Sequence, residues 1–360
     1  MSTLTKNKAI HFSGLTELRG IAAVTVMIAH IDQFGHLFDI PKYGIFATGI
    51  ASQAVTMFFV LSGFLITYLL IKEKEDHRQI FIRKFYWRRI LRIWPAYYAT
   101  IILAIFFGFL GITQLPSLSK SLQISSMFVL FMPNLAYVIS YVFGGTSPLW
   151  SIGVEEQFYA IWPWVVKKMK NLLTIMLWII ATYLVIKITI YIIHPTGGAY
   201  ALIKLTRFDC MAIGGLGALT LEKEWSFSKI LFHPILLIVS ILTILLPFFT
   251  KFFFFASLEN EIFAVACLVI IMNISSNSRS FLKLRSNLLK KLGEISYGIY
   301  VYHLLAIYLV AHLGITHQNT FLSYLLIIII TLLIATLSYQ YLEKPFLKMK
   351  KRFVVVNSKS

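Results

Sequence analysis

Arg19 and His30 stand eleven residues apart in a run that is otherwise apolar, Leu18-Arg19-Gly20-Ile21-Ala22-Ala23-Val24-Thr25-Val26-Met27-Ile28-Ala29-His30. On an α-helix, eleven steps of about 100° bring His30 back to within roughly 20° of the Arg19 face, about 16 Å further along the axis. Ionisable groups at membrane depth are costly, so they usually face a protein interior or a wet cavity and mark a functional path. A histidine there can move a proton, and an arginine can hold an anion. The plain alternative is an arginine that snorkels to the headgroups and a histidine that hydrogen-bonds to a neighbouring helix.

Further blocks offer chemistry of their own. In Phe85-Tyr86-Trp87-Arg88-Arg89-Ile90-Leu91-Arg92-Ile93-Trp94-Pro95, Arg88 and Arg92 share a helix face at i,i+4 with Arg89 beside them. Arginine's planar fork suits phosphate; anchoring of a helix end by basic and aromatic residues is the alternative. In Ser147-Pro148-Leu149-Trp150-Ser151-Ile152-Gly153-Val154-Glu155-Glu156-Gln157-Phe158-Tyr159, Ser151, Glu155 and Tyr159 stack at i,i+4. Acidic residues complement the dipole at a helix start, which explains one interfacial glutamate better than a Ser/Glu/Tyr stripe inside a membrane helix. Arg207 and Asp209 could neutralise each other, and the following Gly214, Gly215 and Gly217 admit close helix packing. Two later blocks, Leu292–His303 and Ser338–Phe346, place polar residues at helix ends.

The elements that must carry these residues follow from composition. Of 360 residues, 58% are hydrophobic and only 13% charged, against about 25% charged in an average chain. Runs such as Leu172–Ile193 are long enough to cross roughly 30 Å of hydrocarbon. The formal charge of +18 is carried mainly between apolar runs, the pattern of cytoplasmic loops, and argues against a nucleic-acid partner. Cys210 and Cys267 lack metal-ligand spacing and read as packing residues, so no metal is expected. No signal peptide is expected either, because no small-residue cleavage site follows the first apolar run.

Spans are placed near 15–36, 50–71, 93–113, 148–166, 171–193, 207–221, 229–249, 256–275, 293–312 and 321–342. The expected fold is an all-α polytopic membrane protein of about ten transmembrane helices, with both termini on one side. Lys72–Arg92, Lys167–Lys170, Arg279–Lys291 and Lys348–Arg352 fall on that side, against only Lys42, Lys120, Lys204, Arg207 and Lys251 opposite. The termini are therefore expected to be cytoplasmic. Leu122–Tyr141 is read as re-entrant or extracytoplasmic, since an eleventh span would export the basic tail. No linker or repeat divides residues 1–360, which read as a single membrane domain with a core of about 15–346 and a basic cytoplasmic tail, 347–360.

In this order the blocks resemble the membrane acyltransferase-3 family, polytopic proteins that O-acylate sugars and other acceptors. The resemblance runs from Leu15 to about Phe346. It rests on Arg-(ten residues)-His, Phe-Tyr-x-Arg-Arg-x-x-Arg-Ile-x-Pro, Leu-Trp-Ser-x-x-Val-Glu-x-Gln-Phe-Tyr, Arg-x-Asp with following glycines, Ser-Tyr-x-x-Tyr-x-x-His, and Glu-Lys-Pro-Phe. It implies acetyl-CoA as donor and a surface glycan as acceptor, such as lipopolysaccharide O-antigen, free or lipid-linked, at a bacterial inner membrane. Many relatives carry a C-terminal hydrolase-like domain that this chain lacks, which suggests direct action on the acceptor.

A sugar hydroxyl is a poor nucleophile and needs a positioned base, for which His30 is the natural choice, with Arg19 in register. Arg88, Arg89 and Arg92, with Tyr86 beside them, are expected to hold the anionic donor at the cytoplasmic mouth. Glu155 would orient His30 or hold the sugar. Ser151, Tyr159, Arg207, Asp209, Ser296, Tyr297 and His303 are the expected substrate contacts. Two other readings stand beside this one: a transporter or flippase of a lipid-linked glycan, and a same-family acyltransferase with a non-sugar acceptor.

Overall fold

The computed structural model describes residues 10–35, 49–113, 115–139, 142–249, 258–314, 320–356 and 358–359. Lys42 and Lys251 of the loop-charge comparison, and the end of the 122–141 segment, lie outside the described residues. Within them the fold is all-helical, apart from a two-residue parallel pairing of β1 (Ile10–His11) with β2 (Ser358–Lys359). That pairing puts the first and last described residues side by side.

Among the described residues, five helices are long and apolar enough to cross a membrane: α2 (Ile50–His77), α3 (Ile82–Phe109), α7 (Leu172–Ile193), α12 (Glu259–Ser276) and the continuous stretch Thr320–Phe353. A sixth arises if α13 (Asn287–Glu294) and α14 (Ser296–His312), which meet at 69°, count as one span. Between them run α1 (Leu15–Phe34), α6 (Leu149–Lys168), α9 (Phe208–Glu222) and α11 (Pro234–Phe249). The outer helices present bare apolar side chains, among them Trp178, Ile192 and Ile193 of α7 and Leu242 of α11. Such a surface suits lipid rather than water.

Residues 118–138 form two short helices, α4 (Leu118–Val129) and α5 (Pro133–Val138), rather than one continuous helix. Phe131 between them takes a positive φ of 55°, and Gln157 of α6 donates to its carbonyl oxygen at 2.8 Å. A polar side chain thus satisfies the backbone that the break leaves unpaired.

The helices around the centre pack closely because small residues let backbones meet. A Cβ at Gly63 of α2 would lie 2.0 Å from the Met211 carbonyl oxygen of α9, and one at Gly214 only 2.1 Å from that of Val60. α1 and α13 meet in the same way, with Gly293 against the Thr16 backbone. Near the C-terminus, α15 (Thr320–Leu337) continues through a π-turn at Ser338–Glu343 into α16 (Lys344–Lys350). This last helix packs on α3 and brings the chain end back over the bundle.

Candidate active site

Four helix termini meet where α2 stops and α3 begins. Glu73, near the end of α2, accepts from the Phe81 backbone N–H at 2.7 Å and from Arg88 Nη2 at 2.9 Å. It therefore satisfies an orphan donor at the α3 start and fixes one arginine. Arg88 also donates through Nη1 to the Phe353 carbonyl at 2.9 Å, while Trp87 stacks on the Phe353 ring at 5.8 Å. Lys74 donates to the Val166 carbonyl at 2.6 Å, and Lys72 pairs with Glu222 at 2.6 Å. The ends of α2, α6 and α9 and the start of α3 thus lie together.

At this end a cavity of about 230 Å³ opens between the helices. Arg19, Arg88, Arg89, Arg92 and Lys350 all line it. Arg88 has Glu73; among the described residues no carboxylate lies within ion-pair distance of the other four. Arg89 is held by aromatic faces, 5.7 Å from the Phe85 ring centre and 5.5 Å from that of Tyr159, and its buried Nε has no hydrogen-bond partner. Uncompensated cations in a low-dielectric pocket repel one another, so a polyanion entering it is stabilised by each.

The same cavity is lined by hydroxyls and the Glu155 carboxylate: Ser62, Ser151, Glu155, Tyr159, Ser296, Tyr297 and Tyr300. Ser62 donates to Glu155 Oε1 at 2.7 Å. Tyr300 and Ser151 share a 2.6 Å hydrogen bond, and Tyr300 also donates to the Pro148 carbonyl at 3.1 Å. Glu156 points elsewhere, accepting from Trp94 Nε1 at 3.2 Å.

His30 and His303 sit behind this wall rather than on it. Their rings join through His30 Nδ1 and His303 Nε2 at 2.7 Å, with ring planes 17° apart. Tyr300 touches His303 on one side and Phe58 on the other, at ring-centre distances of 6.1 and 5.8 Å. Both Phe58 and Tyr300 line the cavity, so they form the layer between it and the histidine pair.

Of the residues expected from sequence, the cavity thus gathers Arg19, Arg88, Arg89, Arg92, Ser151, Glu155, Tyr159, Ser296 and Tyr297, with His30 and His303 adjoining. Three lie apart. Tyr86 donates to the Ala160 carbonyl at 2.7 Å and accepts from Trp164 Nε1 at 3.0 Å, at the α3–α6 surface. Arg207 does not pair with Asp209. It donates to the Ser52 carbonyl and to Thr56 Oγ1, both at 2.7 Å, beside the Trp150 ring. Asp209 neighbours Glu261, which is ion-paired with Lys187.

Five polar residues of the cavity escaped the sequence reading: Thr16, Ser62, Glu73, Tyr300 and Lys350. Ser62 and Glu73 looked like an ordinary small residue in a span and an ordinary loop charge. Tyr300 stood inside a quoted block without a role. Lys350 belonged to a tail whose return over the bundle no local pattern announces.

Comparison with known proteins adds a second line of evidence. The family described as an acyltransferase domain matches residues 13–340. The peptidoglycan O-acetyltransferase OatA of Listeria monocytogenes is 28% identical over 97% of this chain and 58% of its own length. The O-acetyltransferase OatA of Staphylococcus aureus is 26% identical over 94% of this chain and 57% of its own. The chain thus spans a little over half the length of these curated relatives. No solved structure matches it.

Proposed function

The chain belongs to the acyltransferase-domain family, and from that premise we propose that it is a multi-pass membrane O-acetyltransferase using cytosolic acetyl-CoA and a cell-envelope glycan. The observation that carries the reading is the cavity itself. Four cations without carboxylate partners among the described residues crowd its mouth, and hydroxyls and the Glu155 carboxylate line the same cavity. Such a mouth fits a donor whose nucleotide end is multiply anionic and whose reacting group sits on a long neutral arm.

Arg19, Arg89, Arg92 and Lys350 bind the phosphates, and Arg88, braced by Glu73, shapes the rim. The arm runs inward to Tyr300 and Phe58, which must part to admit the acetyl group to His30. His30 takes the proton of the acceptor hydroxyl as its oxygen bonds to the acetyl carbon, then returns it to the departing sulfur. Glu155, held by Ser62, orients the acceptor.

The ten-span topology with cytoplasmic termini belongs to the same proposal. Each of the ten expected spans overlaps a helix (α1, α2, α3, α6, α7, α9, α11, α12, α14 and α15), and the β1–β2 pairing suits an even number of crossings. The bacterial inner membrane is the corresponding location. For the acceptor, the relatives' names favour peptidoglycan over lipopolysaccharide.

The test is transfer of radiolabelled acetyl from acetyl-CoA in proteoliposomes, offered peptidoglycan fragments and O-antigen in parallel. Label on either glycan, lost in His30→Ala by about two to four orders of magnitude, supports the reading. Glycan movement across the bilayer without acetyl transfer would replace it with a flippase.

A further inference from the structure

We infer that His303 is a positioning residue that decides which nitrogen of His30 carries hydrogen, leaving the His30 Nε2 lone pair bare for proton abstraction. The inference rests on the reading of His30 as the base and adds a residue that acts through it.

The chain of hydrogen bonds has one direction. His303 is fully buried, and its Nδ1 faces the Ile299 carbonyl oxygen at 3.2 Å. A carbonyl oxygen only accepts, so Nδ1 of His303 is the N–H. In an uncharged imidazole the other nitrogen is then an acceptor. That nitrogen, Nε2, lies 2.7 Å from Nδ1 of His30. For the short contact to be a hydrogen bond, His30 must supply the hydrogen from Nδ1, and its own Nε2 is left with a lone pair. The ring planes are 17° apart, close to the coplanar arrangement in which an N–H points along its neighbour's lone pair.

The backbone carbonyl one turn earlier on α14 thus sets the hydrogen position on a side chain of α1, through His303. Packing holds the relay: α14 lies against α1, and Ile299 itself is fully buried. The ring orientation is fixed before any acceptor arrives. This is the role a carboxylate or carbonyl plays behind many reacting or metal-binding histidines.

The experiment uses the full chain in lipid nanodiscs with ¹⁵N-labelled histidine, the His30 signals assigned by difference against His30→Asn. The expected spectrum shows His30 protonated at Nδ1 and bare at Nε2, and His303→Leu redistributes that proton. The same substitution lowers kcat by on the order of tenfold to a hundredfold, the range for partners that orient a histidine, with KM for acetyl-CoA unchanged. His303→Gln, whose amide oxygen can still accept, restores much of the rate. Hydrogen on His30 Nε2 in the unsubstituted protein overturns the inference, as does an unchanged proton position in His303→Leu. A redistributed proton with normal turnover upholds the positioning and counts against His30 as the base. If His303→Leu does not fold, the unsubstituted and His303→Gln spectra still decide.

Discussion

Ser62 of α2 donates a hydrogen bond to Glu155 of α6 in the cavity lining, at 2.7 Å. The contact ties a carboxylate to a neutral hydroxyl rather than to a cation, and it turns Glu155 inward while Glu156 faces Trp94. Glu155→Gln is therefore expected to remove most acetyl transfer, and Glu156→Gln to cost little, since a glutamine oxygen still accepts from the Trp94 indole. Ser62→Ala should lie between, near a tenfold loss, matching the roughly 1.5 kcal/mol of a hydrogen bond to a charged group. Equal losses at 155 and 156 in the proteoliposome assay would take Glu155 out of the site.

The arginine block divides into two tasks. Arg88 is neutralised by Glu73 and bound to the Phe353 carbonyl, so Arg88→Ala orphans a buried carboxylate, a change that destabilises by about 3–5 kcal/mol. It should show first as a lower melting temperature. Among the described residues Arg89 and Arg92 have no such partner, and their replacement by alanine should raise KM for acetyl-CoA with little change in kcat, because contacts remote from the reacting carbon contribute uniform binding. Lysine should rescue only in part. A reversed pattern, with the KM effect at Arg88 and the melting effect at Arg89, would contradict this division.

Much of the site was legible because each block carries its own helical spacing. Ser151, Glu155 and Tyr159 fall on one face by the i,i+4 rule, and all three line the cavity. Arg19 was legible from the cost of a charge in an apolar run. The spacing that sets His30 over Arg19 does not say that Arg19 lines the cavity while His30 stands behind its wall, nor does anything local say that position 303 meets position 30. Arg207 shows the opposite failure. An arginine two residues before an aspartate reads as a pair, yet backbone and hydroxyl oxygens of α2 satisfy it and Asp209 turns toward Glu261. Pairing across helices depends on which faces meet, and that is a property of the packed bundle.

The α2–α9 contact is where packing sets the bundle. Gly214→Val would place its side chain against the Val60 carbonyl, 2.1 Å from the nearest atom. Backbone cannot yield there as a flexible side-chain tip would. The cost should fall at or above the 1–3 kcal/mol typical of overpacking, about that range in a thermal melt. Gly198→Ala, whose Cβ would meet only Val138 at 3.6 Å, is the matched control and should leave the melt unchanged. Similar losses in both would show that α2 and α9 tolerate separation.

Lys350 reaches the cavity from the far end of the chain. The π-turn at Ser338–Glu343 and α16 carry it there, and Val354, Val355 and Val356 complete the wall. If its ammonium holds a phosphate as a point charge, Lys350→Gln should raise KM for acetyl-CoA several-fold at constant kcat. The same substitution should have no effect with acetyl-pantetheine, a donor without phosphates. Arg92→Ala should show the same selectivity, since both cations line one cavity mouth. A loss that is equal for the two donors would mean that Lys350 shapes the wall and binds no phosphate.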